Sequence, residues 1–134
     1  MANLDRIAAK HAQKIISDTQ QGSKKEDVEN VLTKALGVCQ EQGIYASLLY
    51  LLSRSNDVEK PIAQTVKREL VALLSEPELA ALALAYNDAD DAHGLLDHFA
   101  GTVCSAPVQT VFFVKDLFER TLTYARYSAK ARQS

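Results

Sequence analysis

A row of basic residues near the N-terminus is the pattern in this 134-residue chain that points most directly to chemistry. Arg6, Lys10 and Lys14 recur every four residues, so on a helix they advance by only about 40° per step and form one stripe. The apolar residues of the same segment fall on the opposite side, so the stripe points outward when the helix packs on a core. Because Lys and Arg bind phosphate oxygens without regard to base sequence, the stripe predicts contact with a nucleic-acid backbone.

A second basic row occurs near the C-terminus. Lys115, Arg126 and Lys130 fall within about 60° of one another on a helical wheel, and Tyr124 and Tyr127 flank Arg126, where they could stack on bases. With the pair at positions 24 and 25, the rows give the predicted phosphate-binding residues, which are Arg6, Lys10, Lys14, Lys24, Lys25, Arg126 and Lys130. Solvated helix surface without a ligand is the plainer interpretation of the same rows.

Asp90, His93 and Asp97 are the best candidates for a catalytic or metal-binding cluster. Their spacing would place a carboxylate, an imidazole and a second carboxylate on one helical face, a set that could hold a divalent cation. A metal-dependent hydrolase is therefore one alternative. The sequence contains no glycine-rich phosphate loop, nucleophile elbow or His-Glu-x-x-His motif, so we expect no enzyme, no catalytic residue, no cofactor and no metal. His11, at the border of an apolar face, is predicted to be a packed, hydrogen-bonded histidine.

The formal net charge of −2 conceals an uneven distribution. Residues 1–25 carry five cations against two carboxylates, and residues 102–134 carry the same balance. Residues 76–101 carry six carboxylates and neither Lys nor Arg. The chain is thus basic at both ends and acidic in between, and its near-neutral total does not exclude a nucleic-acid partner.

Helical periodicity predicts an all-α fold of about six helices. The chain has only 5 Gly and 3 Pro, too few for a strand-and-turn protein. Capping-box spacing at residues 23–26 and 75–78 predicts two helix starts, Asn3 is a predicted N-cap, and Gly43 is a predicted helix end. The predicted helices include 4–19, 61–74, 79–86 and 107–131, with the apolar run 44–52 in the middle of the bundle. At this length one core buries roughly 68–70% of the unfolded chain's surface, so residues 1–134 are predicted to form a single compact domain.

The compartment is predicted from what the sequence lacks. The opening residues MANLDR carry charge where a signal peptide needs an apolar run, and no stretch approaches the ~18 apolar residues of a membrane span. We therefore expect a cytoplasmic protein without membrane contact. Cys39 and Cys104 lie far apart among apolar neighbours, so both are predicted to be reduced, buried thiols.

Three blocks occur in order through nearly the whole chain: residues 4–12 (LDRIAAKHA), 43–51 (GIYASLLYL) and 121–131 (TLTYARYSAKA). In order and spacing these blocks resemble the small all-helical subunit of type III-B (Cmr) CRISPR RNA-guided effector complexes. The resemblance implies a non-catalytic building block for antiviral defence. In that family several copies stack along the inner face of a helical ribonucleoprotein and line the path of the guide RNA paired with its target.

The resemblance also implies the partners, which are the guide and target RNA, the backbone and large subunits of the complex, and further copies of this chain in a filament. The basic residues would then face RNA phosphates, and the basic end of one copy would meet the acidic segment of the next. Head-to-tail contacts of that kind generate open filaments when the rotation does not close. A helical protein–protein adaptor, with the basic rows as solubilising surface only, is the alternative.

Overall fold

Six α-helices and two shorter helical turns make up the part of the chain that the computed structural model describes, residues 3–132. The helices are α1 (Leu4–Thr19), α2 (Lys25–Gln42), α3 (Ile44–Ser53), α4 (Glu59–Leu73), α5 (Ala92–His98) and α6 (Val108–Ala131). A 3₁₀ turn, Pro77–Leu82, lies between α4 and α5, and a π turn, Phe99–Val103, follows α5 directly. No strand occurs within residues 3–132, and the predicted all-α bundle of about six helices is confirmed.

The longest helix, α6, packs against both α1 and α2. Arg120 of α6 bonds to Asp5 at the start of α1, and Arg132, just past α6, bonds to the Ser23 carbonyl beyond the end of α1. Helix α1 therefore runs parallel to the C-terminal half of α6. The apolar faces of these helices, with those of α3, α4 and α5, form one core whose largest buried side chains include Ile7, Ile15, Leu32, Ile62, Leu70, Leu95, Phe99, Leu117 and Phe118.

Helix α2 runs antiparallel to α6. Lys25 at its start donates to the Arg132 carbonyl, and the Gln40 carbonyl near its end accepts from Lys115 in the first half of α6. Gly43 closes α2 with a φ of 99°, a positive value that glycine adopts without steric cost, and α3 follows at once.

The predicted cap of α1 is confirmed, whereas the capping box at residues 23–26 is wrong. The Asn3 side chain accepts from the Arg6 amide at 3.0 Å, which satisfies one of the free N–H groups of the first turn. Helix α2 begins at Lys25 without a side-chain cap. Ser23 still belongs to the turn that leaves α1, because its amide donates to the Thr19 carbonyl at 3.1 Å.

The second predicted capping box, at residues 75–78, and the helix predicted over 79–86 are also wrong. The chain forms only the 3₁₀ turn there, and the turn ends at Ala83, which has a left-handed φ of 55°. The physical reason is a tertiary contact: Glu78, the carboxylate of the predicted box, pairs with Arg6 of α1. Ser75, the predicted cap, belongs to the turn that leaves α4, because its amide donates to the Ala72 carbonyl at 3.0 Å.

Helices α3 and α4 differ from the prediction, α4 in its first residue and α3 in its position in the bundle. Helix α4 begins at Glu59, two residues before Pro61, because the Asn56 side chain accepts from the Glu59 amide at 2.7 Å. Helix α3 does not lie in the middle of the bundle, since Leu49 is 42% exposed and Leu52 is only half-buried. It packs mainly on α2 and α4, which leaves its other side at the surface.

The two cysteines lie in different environments. Cys39 is buried in the core, as predicted, and burial raises the pKa of its thiol to about 12. Cys104 is exposed, so that part of the prediction is wrong: it follows the π turn, where the chain lies at the surface before α6. Among the described helices, none combines the length and the apolar character that a membrane crossing requires.

Candidate nucleic-acid interface

Basic side chains collect at the end of the bundle where α1 and α6 finish and α2 begins. Lys25 and Arg132 lie together there, joined through the Lys25 Nζ bond to the Arg132 carbonyl at 3.4 Å. Lys24 and Lys130 are exposed neighbours of these two in sequence, and Arg126 lies about one helical turn before Lys130. We call these five residues, Lys24, Lys25, Arg126, Lys130 and Arg132, the basic end.

The cations of the basic end have no carboxylate partner within residues 3–132. Glu26 and Asp27 lie nearby in the first turn of α2, where their charge is favourable next to the free N–H groups of the helix. By contrast, ion pairs engage most basic side chains elsewhere in the protein, including Arg6, Lys10, Arg54, Lys67, Arg68, Lys115 and Arg120. The basic end therefore retains positive charge that can attract an anion.

The predicted stripe on α1 is exposed but is largely occupied by carboxylates of the same chain. Arg6 pairs with Glu78, and Lys10 Nζ lies 3.0 Å from a carboxylate oxygen of Glu76. Lys14 is exposed and makes no ion pair with the described carboxylates. Two carboxylates of the acidic segment, Glu76 and Glu78, thus neutralise two of the three cations of the N-terminal stripe, which lies far from them in sequence.

The structure does not bring the two basic rows onto one surface. Arg6 and Lys10 lie on the side of α1 that faces the 3₁₀ turn. Lys115, which shares its face of α6 with Arg126 and Lys130, reaches the Gln40 carbonyl on the α2 side and pairs with Glu119 at 3.7 Å. The four predicted residues that belong together are those near the bundle end, and the stripe on α1 is a separate surface.

The two tyrosines predicted to stack on bases are not equivalent. Tyr124 is half-buried against the core, and its hydroxyl donates to Asp5 at 2.9 Å, so it joins α6 to α1. Tyr127 is 63% exposed and lies one residue after Arg126. Tyr127 is thus the aromatic side chain next to the basic end that has a free ring face for stacking.

A buried cluster of charged side chains joins α1 to the acidic segment. His11 lies between two carboxylates, with Nδ1 2.7 Å from Glu69 of α4 and Nε2 2.5 Å from Glu76 before the 3₁₀ turn. All three residues are at most 6% exposed. Lys10 bonds to the same Glu76 oxygen as His11 does, so the two basic and two acidic groups balance. The prediction of a packed, hydrogen-bonded His11 is confirmed.

The contacts within this cluster shift the pKa values of His11 and Glu76. Burial disfavours the charged imidazole, but the hydrogen bonds and charges of Glu69 and Glu76 outweigh it and raise the pKa of His11. Burial likewise opposes the charged form of Glu76, but bonds from Lys10 and His11 prevail and lower the pKa of that carboxyl. The protonated ring can donate from both nitrogens, which is the arrangement that both carboxylates require.

The residues proposed for a metal site do not assemble. Asp90 precedes α5, so it does not share a helical face with His93 and Asp97; it pairs instead with Arg68 at 3.2 Å and Lys67 at 3.7 Å. His93 and Asp97 are exposed and 3.5 Å apart. Within residues 3–132 no group of three His, Cys, Asp or Glu side chains is close enough to hold a metal ion. The predicted common face of these three residues is therefore wrong.

Apolar surface is concentrated near the start of α6. Val108 and Phe112 are 66% and 64% exposed and, being four residues apart, share one helical face. On another side of the same helix, Phe113 lines an open groove of about 250 Å³, whose opposite wall includes Ala81 and Leu82 of the 3₁₀ turn. These features lie on the half of α6 away from the basic end.

Comparison with known proteins leaves the family open. No protein-family model matches the chain, and neither a curated protein nor a solved structure is significantly similar to it.

Two parts of the site were missed in the sequence. Arg132, whose guanidinium donates to the Ser23 carbonyl, was not predicted as part of the basic end, although it follows Lys130 by two positions in the same basic run. The partners of His11 could not be found from spacing, because Glu69 and Glu76 lie 58 and 65 residues further along the chain. A buried histidine does signal a polar partner, since such a ring needs hydrogen bonds, but not which residue supplies them.

Proposed function

We propose that this protein is a non-catalytic RNA-binding subunit of a ribonucleoprotein complex, and that the basic end binds RNA phosphates. The observation that carries the proposal is the set of five cations at one end of the bundle that have no carboxylate partner among the described residues. Their mutual repulsion is relieved when an anionic chain binds. Phosphate binding by such residues is strong at low salt and independent of base sequence.

The resemblance to the type III-B small subunit supplies the specific form of the proposal. In that form several copies stack along the inner face of an effector complex for antiviral defence. They contact the guide and target RNA, the backbone and large subunits, and each other. This chain would contribute no nucleophile, general base or metal, and cleavage would belong to other subunits. The proposed compartment is the cytoplasm.

The α1 stripe has a secondary place in this proposal. Lys14 is exposed and needs no rearrangement to meet a phosphate. Arg6 and Lys10 would have to exchange their carboxylate partners, Glu78 and Glu76, for phosphates. We therefore rank the basic end first, Lys14 second, and the other two residues last.

The test compares two double variants with the same change in net charge. Lys24→Glu with Lys130→Glu alters the basic end, whereas Lys34→Glu with Lys60→Glu alters two exposed lysines elsewhere on α2 and α4. Each variant and the wild type are titrated with a single-stranded RNA at several salt concentrations. We expect the first variant to lose at least about tenfold in affinity, with a salt slope reduced by about 1.4, the value for two lost phosphate contacts.

The control variant should bind within about twofold of the wild type, because it lacks only long-range attraction, which salt screens. Circular dichroism verifies that both variants keep their helices. Equal losses in the two variants would mean that net charge alone attracts RNA, and an unchanged first variant would mean that RNA binds elsewhere. Either result would refute the assignment of the basic end.

The ribonucleoprotein form is tested by isolating the protein from its native host. Co-purification of RNA of one guide length, together with larger subunits of defined mass, is the expected result. Recovery of the protein without RNA would contradict it.

The exposed pair Val108 and Phe112 favours a second candidate, the helical protein–protein adaptor. An adaptor would lose its partner when both residues become serine, and it would bind no RNA. The RNA-binding subunit, in contrast, should bind single-stranded RNA equally well with or without these two substitutions, since they lie on the half of α6 away from the basic end.

A further inference from the structure

His11 holds together three parts of the protein that are distant in sequence. Its ring lies between Glu69 of α4 and Glu76, the residue that immediately precedes the 3₁₀ turn. We propose that this cluster is a pH-dependent clasp, which holds residues 75–84 against α1 and α4 while the ring carries two protons and loosens them when the ring loses one. The proposal does not depend on RNA binding.

The geometry of the ring accounts for the switch. Each ring nitrogen faces a carboxylate oxygen at 2.7 Å or less, and a doubly protonated imidazole donates to both. A neutral imidazole has one proton only, so one nitrogen presents a lone pair to a carboxylate oxygen in a buried space. That contact changes from a charge-assisted hydrogen bond to a repulsive one.

The neighbouring charges do not replace the lost proton. On α1 itself Lys10 bonds to Glu76 but is 56% exposed, and it reaches only one of the two carboxylates. On the 3₁₀ turn Glu78 is paired with Arg6. On α6, Arg120 pairs with Asp5 of α1, about a turn and a half before His11. Protonation of His11 is therefore the step that satisfies Glu69 and Glu76 together.

Outside this cluster, residues 75–84 are held by the Arg6–Glu78 pair, by the His98 ring, whose Nε2 lies 2.7 Å from the Leu84 carbonyl, and by few buried side chains. Between positions 75 and 84 the buried side chains are Glu76, Leu79 and Leu84, together with Leu74 just before them, and the others are exposed or half-buried. Glu76 is thus one of the three buried side chains within the segment. The same segment supplies Ala81 and Leu82 to the groove beside Phe113, so loosening it changes one wall of that groove.

The experiment follows the wild-type protein between about pH 6 and pH 9. Hydrogen exchange, corrected for its intrinsic pH dependence and read by mass spectrometry, gives the opening of residues 75–84 and, as a reference, of α2 and α6. A parallel NMR titration follows the His11 ring. We expect the opening constant of residues 75–84 to rise about tenfold for each pH unit by which the pKa of His11 exceeds its ordinary value of 6.5, with the midpoint at the His11 titration.

Two substitutions separate the clasp from a general effect of pH. His11→Gln should remove the pH dependence of residues 75–84, whereas His93→Gln, which alters a ring whose side chain is 91% exposed, should leave it intact. If His11→Gln does not fold, hydrogen exchange of the wild-type protein across the pH range still tests the proposal. Constant protection of residues 75–84, a midpoint away from the His11 titration, or equal opening of α2 and α6 would each overturn the proposal.

Discussion

Two basic regions of this protein contain the same kinds of residue and have different surroundings. On α1, Arg6 and Lys10 pair with Glu78 and Glu76, and Lys10 is part of a balanced buried cluster. At the basic end, Lys24 and Lys130 are exposed and have no carboxylate partner among the described residues. The first region is engaged in holding the acidic segment on α1, and the second is free to meet a ligand.

The difference shows that spacing alone does not identify a binding surface. The α1 stripe has the more regular pattern, yet its partners come from the acidic residues 76–78 of the same chain. An ion pair inside the fold and a phosphate contact require the same side chains. Variants that alter one region and leave the other intact measure how separate the two regions are.

The largest effect is expected for Glu76→Ala. Removing this carboxylate leaves His11 and Lys10 with one acidic partner fewer in a buried cluster, and breaking such a pair destabilises by about 3 kcal/mol. Urea unfolding at neutral pH, followed by circular dichroism, measures the change. RNA affinity of the folded variant should not fall; a weaker affinity would mean that the two regions are coupled.

A smaller effect is expected for Lys10→Glu, which places a third carboxylate beside Glu76. We expect a loss of about 1–2 kcal/mol, because Glu76 is buried while the substituted side chain can turn toward solvent. The matched change Lys24→Glu, at an unpaired position, should alter the free energy of unfolding by less than about 0.5 kcal/mol. Equal destabilisation by the two changes would remove the distinction between the regions.

The two regions should also differ in their pH dependence. The pKa of His11 is raised in the folded protein, so its stabilisation is complete below about pH 6.5 and disappears as pH rises through the higher folded value. The pKa of Glu76 is lowered, so its contribution is present above about pH 4.5 and disappears as pH falls through the lower folded value.

The free energy of unfolding should therefore be greatest between these limits. Beyond either limit it should fall by about 1.4 kcal/mol for each pH unit that separates the folded pKa of the titrating group from its ordinary value. Binding of RNA should stay constant between about pH 6 and pH 9, since Lys and Arg keep their charge over that range. Urea unfolding and RNA titration in the same series of buffers compare the pH dependence of stability with that of RNA binding. A loss of RNA affinity that follows the titration of His11 would show that the basic end depends on the His11 cluster.

The smallest effect is expected for Lys14→Gln. Lys14 lies on the α1 stripe, but it is exposed without a carboxylate partner among the described residues, as Lys24 and Lys130 are. We expect a change in stability within about 0.5 kcal/mol, because Lys14 is exposed and unpaired among the described residues. A drop of about 0.7 in the salt slope of RNA binding would assign it to the interface. An unchanged slope would restrict the interface to the basic end.

Much of the fold was predictable because helix signals are local. The Asn3 cap and the Gly43 turn each depend on residues within one or two helical turns, and both are found where the sequence places them. The capping box at residues 75–78 failed because Glu78, the carboxylate of the box, pairs with the distant Arg6. Local rules cannot include such a competitor.

The candidate interface was predicted in part for the same reason. The basic residues at positions 24, 25, 126 and 130 were found from charge pattern, but their assembly with Arg132 at one end of the bundle requires the parallel packing of α1 on α6. The stripe on α1 was also found, but not its occupation by carboxylates.

The sequence by itself determined that this chain is helical and where its charges lie along it, because periodicity and capping act between near neighbours. Only the tertiary structure decided which of those charges are neutralised. The pairs Arg6–Glu78 and Lys10–Glu76 join residues 72 and 66 positions apart, so they form only when packing brings the acidic segment onto α1. The charge left unpaired at the other end of the bundle is a consequence of that packing.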